Sequence, residues 1–374
     1  MGLAGVDEET IAVDDPRFPR AASGRLTGMA REIDAVSRCS RRSPPRGDTD
    51  LEDALLRALT RARERGITTV HDPGVGLIGG PEELAAYRRL DSAGRLPVRV
   101  VGFLRGDIAR AGGTVFESAG RAQGRFRLAG AKFWADGSIQ GLSAALRAPY
   151  LCDPGHHGDL LQPQPELDAM VAPVAAAGGQ LAVHANGDAA VSAALTAISR
   201  AQDSTDDPRH RIEHCRVTSA SDLDALKKAG VGVSFFVNHV YFWGDRHRDR
   251  FLGEERSGFL DPLASADAAG LRFGLHSDCP ITPMDPLATI RTAVNRLTSG
   301  GSVLGPDERI GVHRALKAMT VDSAYPVHEE GLVGTIAPGM RADPVVLDGP
   351  LSAVADAAAP MPKPIRVMVG GSWD

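Results

Sequence analysis

Apolar and polar positions follow two periods that alternate along most of the chain. Segments with an apolar residue every three to four positions predict helices, and short runs of consecutive apolar residues between them predict strands. The first such helix spans Asp48–Gly66, with an acidic first turn and a glycine at its end. Because the strand runs are apolar throughout, we expect a sheet that is buried on both faces. The predicted strands occupy residues 67–74, 97–107, 126–138, 180–188, 210–217, 231–240 and 271–280.

Strands that alternate with helices of this length indicate parallel βαβ units. The seven strands are one fewer than a closed (β/α)8 barrel requires. The sequence therefore predicts an α/β fold, a TIM-type barrel that lacks its first strand, over residues 1–330. Residues 331–374 carry short strands separated by glycine and proline turns, which predicts a small C-terminal part of a β-sandwich.

Composition excludes several classes of partner. The 374 residues are 43% hydrophobic and 24% charged, and the net charge of −5 provides no basic field for nucleic acid or an anionic membrane. The arginine-rich stretch 37–47 is rich in proline and serine, so we expect a solvated loop there. No apolar run is long enough to span a bilayer, and the N-terminus has no signal pattern. Four scattered cysteines form no CxxC pair, which favours free thiols and a cytoplasmic location.

The predicted strands end in polar residues, which in parallel barrels converge on one mouth. His184, His214 and Asp278 come from three such ends and would form a nitrogen and oxygen site for zinc or a similar divalent ion. A metal lowers the pKa of a bound water, and Asp278 would accept its proton as general base. The polar ends are His71-Asp72, Lys132 with Asp136, His184 with Asp188, Glu213-His214, Asn238-His239, and His276 with Asp278.

One lysine lies in an apolar strand of a chain that otherwise prefers arginine. The sequence has 5 lysines and 37 arginines, and Lys132 is the first lysine. A buried amine can become neutral and react with carbon dioxide to form a carbamate, which a guanidinium cannot do. The alternative is an ion pair with a nearby acid such as Asp136. The residues alone leave both possibilities open.

The order and spacing of several motifs resemble those of metal-dependent amidohydrolases. The nearest branch is amidohydrolase family 3, which contains N-substituted formamide deformylase. The resemblance runs from about Gly5 to the C-terminus. It is carried by KFWADGS with SAALRAPY, HANGDAAV, RHRIEHCRV, HSDCP with MDPLATI, and EEGLVGTIAPGMRADPVVLD.

The resemblance implies a (β/α)8 barrel with one or two divalent metals, most often zinc, and a β-sandwich built from both chain ends. His184 and His214 would be metal ligands, and Lys132 would be the carbamylated lysine that bridges the metals. Asp278 would bind metal and transfer the proton. His239 would contact a small-molecule amide substrate. The implied activity is hydrolysis of carbon–nitrogen bonds other than peptide bonds, in an N-acyl, formamide or cyclic amide substrate.

One part of the family pattern is missing. Its first barrel strand ends in a His-x-His pair, and none of the eleven histidines forms one. We therefore expect a chain without roughly the first quarter to third of an architecture of about 500 residues. A partner chain or a neighbouring subunit of a homo-oligomer would then supply the strand, unless the start of the gene is misassigned. The alternative function is an inactive remnant or assembly component that keeps the barrel shell.

Overall fold

The computed structural model describes residues 9–15, 17–30, 35–36, 39, 47–119, 124–202 and 207–373. The predicted loop 37–47 lies outside these residues, apart from Cys39 and Gly47. A seven-stranded sheet forms the centre of the molecule, and all its strands are parallel and paired in sequence order. The strands are β1 (Thr69–Val75), β2 (Arg99–Arg105), β3 (Phe126–Trp134), β4 (Gln180–Ala185), β5 (Arg211–His214), β6 (Gly232–Phe235) and β7 (Phe273–Leu275).

Helices follow the strands along the chain, as the period of the apolar positions predicts. Several helices are short, and a π-helical turn (His247–Leu252) continues the helix that ends at Arg246. The helices are α1 (Asp48–Glu64), α2 (Glu82–Ser92), α3 (Gly106–Arg110), α4 (Gln164–Ala176), α5 (Asp188–Ala201), α6 (Ala220–Lys228), α7 (Asn238–Arg246), α8 (Gly253–Gly258), α9 (Leu263–Ala268), α10 (Pro286–Asn295), α11 (Val312–Met319) and α12 (Val321–Ala324).

The local sequence explains where individual elements begin and what they bury. Ser219 caps α6, because its hydroxyl accepts a hydrogen bond from the backbone N–H of Asp222. Asp285 caps α10 in the same way, by accepting from the N–H of Ala288. The strand β3 is buried along nearly its whole length, and its apolar residues join one continuous core with those of the surrounding helices. Burial on both faces is thus confirmed for β3, whereas β1 at the edge of the sheet is only partly buried along most of its length.

The parallel sheet curls but remains open. In the described part of the chain, β1 pairs only with β2 and β7 pairs only with β6. The prediction of an α/β fold with seven parallel strands is confirmed, whereas the absence of a first barrel strand stays a prediction.

The C-terminal segment forms a second, antiparallel sheet. Its strands are β8 (Val345–Leu347), β9 (Pro364–Val369) and β10 (Ser372–Trp373), with β9 in the middle. Val367 and Val369 of β9 belong to the same apolar core as the parallel sheet. The assignment of this sheet to a β-sandwich, and the division at residue 330, stay predictions.

One predicted strand is partly a helix. The apolar run 231–240 was expected to be extended throughout, but β6 ends at Phe235 and α7 begins at Asn238. A short run of consecutive apolar residues has the same pattern in a buried strand and in a buried helix. His239 therefore lies in the first turn of a helix. None of the helices within the described ranges has the length and apolar character needed to cross a bilayer.

Candidate functional site

The predicted site residues lie at the carboxyl ends of neighbouring strands. In the pairing of β3, β4 and β5, Trp134 lies beside His184, and Ala185 lies beside His214. Lys132 comes two residues before Trp134 on β3. Parallel strands in register bring their ends to one side of the sheet, so these side chains share the mouth of the curled sheet.

Two of the site residues have an unusual backbone conformation. His214 ends β5 with φ of 73°, and Asp278 follows β7 with φ of 50°. Residues with a side chain rarely adopt this left-handed region.

Three histidine side chains form a contiguous cluster at this mouth. The ring of His214 lies between the other two, with ring centroids 4.4 Å from His184 and 4.9 Å from His276. The sequence singled out His276 as a polar strand end but gave it no role. Two nitrogens of the cluster, Nδ1 of His214 and Nε2 of His276, are buried and have no hydrogen-bond partner.

Burial keeps these imidazoles neutral. It is the largest cause that lowers the pKa of His184 to about 3 and that of His276 to about 4, and it lowers the pKa of His214 well below its ordinary value. Nε2 of His184 lies 3.0 Å from the carbonyl oxygen of Gly137 and 2.9 Å from the side-chain nitrogen of Asn186, so an acceptor and a donor face the same ring nitrogen. A neutral imidazole offers a lone pair, which is the form that binds metal ions.

Lys132 is a buried amine with a strongly perturbed environment. Its side chain is 4% exposed, and burial lowers its pKa from 10.5 to about 8. The charges of Glu213 and Asp278 partly oppose this effect, whereas Arg211 reinforces it. The charged ammonium form of Lys132 is therefore disfavoured at this position, although the charges of two carboxylates stabilise it.

The ion pair between Lys132 and Asp136 is not formed. Asp136 instead accepts hydrogen bonds from the backbone N–H groups of Ala145, Asn186 and Gly187, at 2.9–3.0 Å. Burial raises the pKa of Asp136 to about 7. This carboxyl group joins the loop after β3 to the loop after β4, and its Oδ1 also lies 3.5 Å from Nε2 of His184.

A chain of charged side chains crosses the interior beside Lys132. Arg211 donates from Nε to Glu213 at 2.6 Å, and its Nη1 lies 3.1 Å from Nδ1 of His71 on β1. The Arg211 and Lys132 charges hold the pKa of Glu213 down, at about 2, against the opposing effect of burial. Arg211 and Glu213 thus form a buried ion pair next to Lys132.

His239 belongs to a neighbouring polar cluster. Its Nδ1 lies 2.5 Å from Nη1 of Arg216 and 3.2 Å from Nε2 of His247. Because a guanidinium can only donate, Nδ1 accepts and the ring proton of His239 is on Nε2. The ring of Phe236 separates this cluster from the three histidines, with centroids 4.5 Å from His239 and 4.9 Å from His276. Arg216 is 1% exposed, and sequence reasoning missed it.

The side chains at this mouth meet some of the requirements of a metal site. Across the described ranges, no three His, Cys, Asp or Glu side chains are grouped closely enough to hold one. The unpartnered nitrogens of His214 and His276 and the neutral state of all three rings nevertheless suit zinc or a similar ion. The residues fit such an ion if a further anionic ligand is added. A carbamate on Lys132 would be a ligand of that kind.

Comparison with known proteins places the chain in a family. The profile described as the amidohydrolase family matches residues 1–372. The chain is 27% identical over 359 residues to Bacillus subtilis YtcJ, whose name describes it as a putative amidohydrolase; the match covers 93% of this chain and 66% of YtcJ. It is 30% identical over 173 residues to the N-substituted formamide deformylase of Arthrobacter pascens, covering 46% of this chain and 32% of that enzyme. The chain thus spans less than two thirds of the length of both relatives.

A solved structure agrees with the sequence matches. It is described as an uncharacterized metal-dependent hydrolase from Pyrococcus furiosus, and it superposes with a TM-score of 0.73 at 26% identity. The superposition covers 88% of this chain and 67% of the other. The chain belongs to the amidohydrolase family.

Proposed function

We propose that the chain is a metal-dependent hydrolase of carbon–nitrogen bonds other than peptide bonds. Its substrate would be a small amide: an N-acyl compound, a formamide or a cyclic amide. The observation that carries the proposal is Lys132, a buried amine whose pKa of about 8 lies far below 10.5. The neutral amine is therefore much more accessible at neutral pH than in an exposed lysine.

The neutral amine of Lys132 would attack carbon dioxide. A nitrogen–carbon bond forms, the amine nitrogen loses a proton to solvent, and the product is a carbamate anion on a long side chain. This anion would join His184 and His214 as ligands of a divalent metal, which we propose is zinc. When bound, the metal polarises the amide carbonyl and lowers the pKa of a water molecule.

Asp278 and His239 would handle the proton and the substrate. Asp278 follows β7 at the same mouth, and its negative charge acts on both Lys132 and His276. We assign it the role of general base, which takes a proton from the attacking water and passes it to the leaving nitrogen. His239, with its proton on Nε2, would donate a hydrogen bond to the substrate.

The second candidate function is that of an inactive remnant or assembly component that keeps the barrel shell. The site residues do not favour it. A chain that had lost its chemistry would have no use for a buried lysine and three neutral imidazoles, which are costly to bury. The missing His-x-His pair is the feature that speaks for it. We also propose that the protein is cytoplasmic, and that a second copy or a partner chain covers the free edges of β1 and β7.

Metal and carbamate should be measured together. The chain would be prepared with zinc and isotope-labelled bicarbonate, and its metal content and carbamate carbon resonance would be recorded. We expect both signals, and we expect both to disappear in Lys132→Arg, which keeps a positive charge but cannot form the carbamate. Lys363→Arg, at an exposed position, is the matched control.

Activity would be tested on a panel of N-formyl, N-acyl and cyclic amides, with and without zinc. Hydrolysis that requires metal, survives in Lys363→Arg and is lost in Lys132→Arg would support the proposal. If the protein binds no metal, carries no carbamate and is inactive under all these conditions, the proposal is overturned. An inactive remnant or assembly component would then be favoured.

A further inference from the structure

Three polar side chains meet at one ring nitrogen of His239, beside the candidate site. This nitrogen, Nδ1, lies 2.5 Å from Nη1 of Arg216, 3.2 Å from Nε2 of His247 and 3.4 Å from Nε2 of Gln140. Arg216 follows β5, His247 begins the π-helical turn, and Gln140 lies between β3 and α4. Side chains from three separate parts of the chain thus converge on one side of the imidazole ring.

Two aromatic side chains hold the ring of His239 in its place. Its centroid lies 4.5 Å from that of Phe236 and 4.2 Å from that of Trp243. Neither contact is a hydrogen bond, so the aromatic residues determine where the ring lies but not which nitrogen carries its proton. The polar contacts at Nδ1 decide between the two tautomers.

The other ring nitrogen of His239, Nε2, remains accessible. It has no hydrogen-bond partner in the described part of the chain, but unlike Nε of Arg216 it is not closed off from solvent. The small exposed part of His239, 2% of its surface, therefore includes this nitrogen. A carbonyl oxygen only accepts hydrogen bonds, so Nε2 can bind an amide carbonyl only when it carries the ring proton.

Arg216 is fixed behind this ring. It is 1% exposed, its Cζ lies 5.2 Å from the ring centroid of Phe236, and its backbone carbonyl accepts from the N–H of Asp261 at 3.0 Å. Burial lowers the pKa of Arg216 to about 10, which still leaves the guanidinium charged at neutral pH, and the charge of Asp261 opposes the effect of burial. A charged guanidinium has only N–H groups to offer, so its contact with Nδ1 requires that Nδ1 has no proton.

We propose that Arg216 is a positioning residue, which keeps the proton of His239 on Nε2 so that this nitrogen donates to the carbonyl oxygen of an amide substrate. The proposal rests on the proposed function, in which His239 contacts the substrate. Arg216 acts only through His239 and does not touch the substrate itself. Gln140 and His247 hold the ring less strongly, because their nitrogens lie farther from Nδ1 and carry no fixed charge.

The tautomer of His239 can be measured without a substrate. Nitrogen NMR spectra of a chain with 15N-labelled histidine distinguish a protonated from an unprotonated ring nitrogen, and His239→Gln assigns the signals. We expect the proton on Nε2 in the original chain, a mixture of tautomers in Arg216→Met, and recovery of the Nε2 tautomer in Arg216→Lys, which keeps a charged donor. Arg250→Met, at an exposed position of the π-helical turn, is the matched control and should leave the signals unchanged.

Hydrolysis of an amide provides a second measurement. Arg216→Met should lower kcat by about tenfold and change KM little, because the hydrogen bond to the carbonyl oxygen strengthens as that oxygen gains charge in the transition state. The same substitution should cause no further loss in a His239→Ala chain, since Arg216 acts through His239.

Three results would overturn the proposal. They are a proton on Nδ1 of His239 in the original chain, an unchanged tautomer in a folded Arg216→Met chain, or an equal loss of kcat from Arg216→Met with and without His239. The first needs no variant, so it holds even where Arg216→Met does not fold. The expected spectra from a chain without hydrolase activity would contradict the proposed function and leave the hold of Arg216 on His239 intact.

Discussion

Replacing Lys132 by methionine should stabilise the metal-free chain at neutral pH. Methionine has a similar length and no charge, so it removes the buried ammonium without opening a large cavity. Burial lowers the pKa of Lys132 from 10.5 in an unfolded chain to about 8. A difference of that size corresponds to about 3 kcal/mol, by which the folded original chain is disfavoured when the lysine is protonated.

The effect depends on pH in a defined direction. The unfolded chain holds the lysine proton up to pH 10.5, whereas the folded chain releases it around pH 8. The original chain therefore gains stability as the pH rises from about 8 to about 10.5, and the full penalty returns below about pH 8. The advantage of Lys132→Met should be about 3 kcal/mol at pH 7 and should be largely lost near pH 10.

Urea unfolding, followed by circular dichroism in buffers depleted of metal and carbon dioxide, measures this difference. Lys363→Met removes an exposed lysine and should change little at either pH. If Lys132→Met is no more stable than the original chain at pH 7, or if its advantage is the same at both pH values, the lysine is not held as a penalised buried cation. Lys132 would then not be a reactive amine at neutral pH.

Three further predictions concern residues around the site. Glu213→Gln should destabilise the chain by about 3–5 kcal/mol in urea unfolding, because it leaves Arg211 buried without its carboxylate; the double variant with Arg211→Met should recover part of the loss. Arg216→Gln should raise the pKa of His239 in an NMR titration, since the Arg216 charge lowers it; an unchanged value would contradict the contact. Cys215 is fully buried, so a thiol reagent should modify it only in denaturant, and prompt modification of the native chain would refute its placement.

The succession of parallel strands could be predicted from the sequence because several of them are short apolar runs. Residues 126–138 and 180–188 are clear examples, and β3 and β4 begin at the predicted positions. The prediction of a strand throughout residues 231–240 was wrong for the same reason. Consecutive apolar residues do not distinguish a buried strand from the first turn of a buried helix. Pairing of strands and burial are long-range properties, and the end of β6 depends on them.

The candidate site was predictable in its residue types but not in its contacts. The position of Lys132 in an apolar run correctly indicated a buried amine, but the partner of Asp136 could not be read from the sequence. The three backbone N–H groups that donate hydrogen bonds to Asp136 belong to residues that are 9 to 51 positions away. Arg216 was missed because an arginine beside a strand end is ordinary, and its importance appears only with its 1% exposure and its contact to His239.

The left-handed backbone at His214 and Asp278 has a consequence for protein engineering. The left-handed conformation costs a residue with a side chain about 1–2 kcal/mol. Aspartate and histidine adopt it more often than most residues do, and glycine adopts it freely. Substitutions that relax the backbone at these two positions would therefore also remove a proposed ligand. Selection for heat resistance alone would favour chains that have lost their chemistry, so directed evolution of this protein needs a simultaneous selection for metal binding.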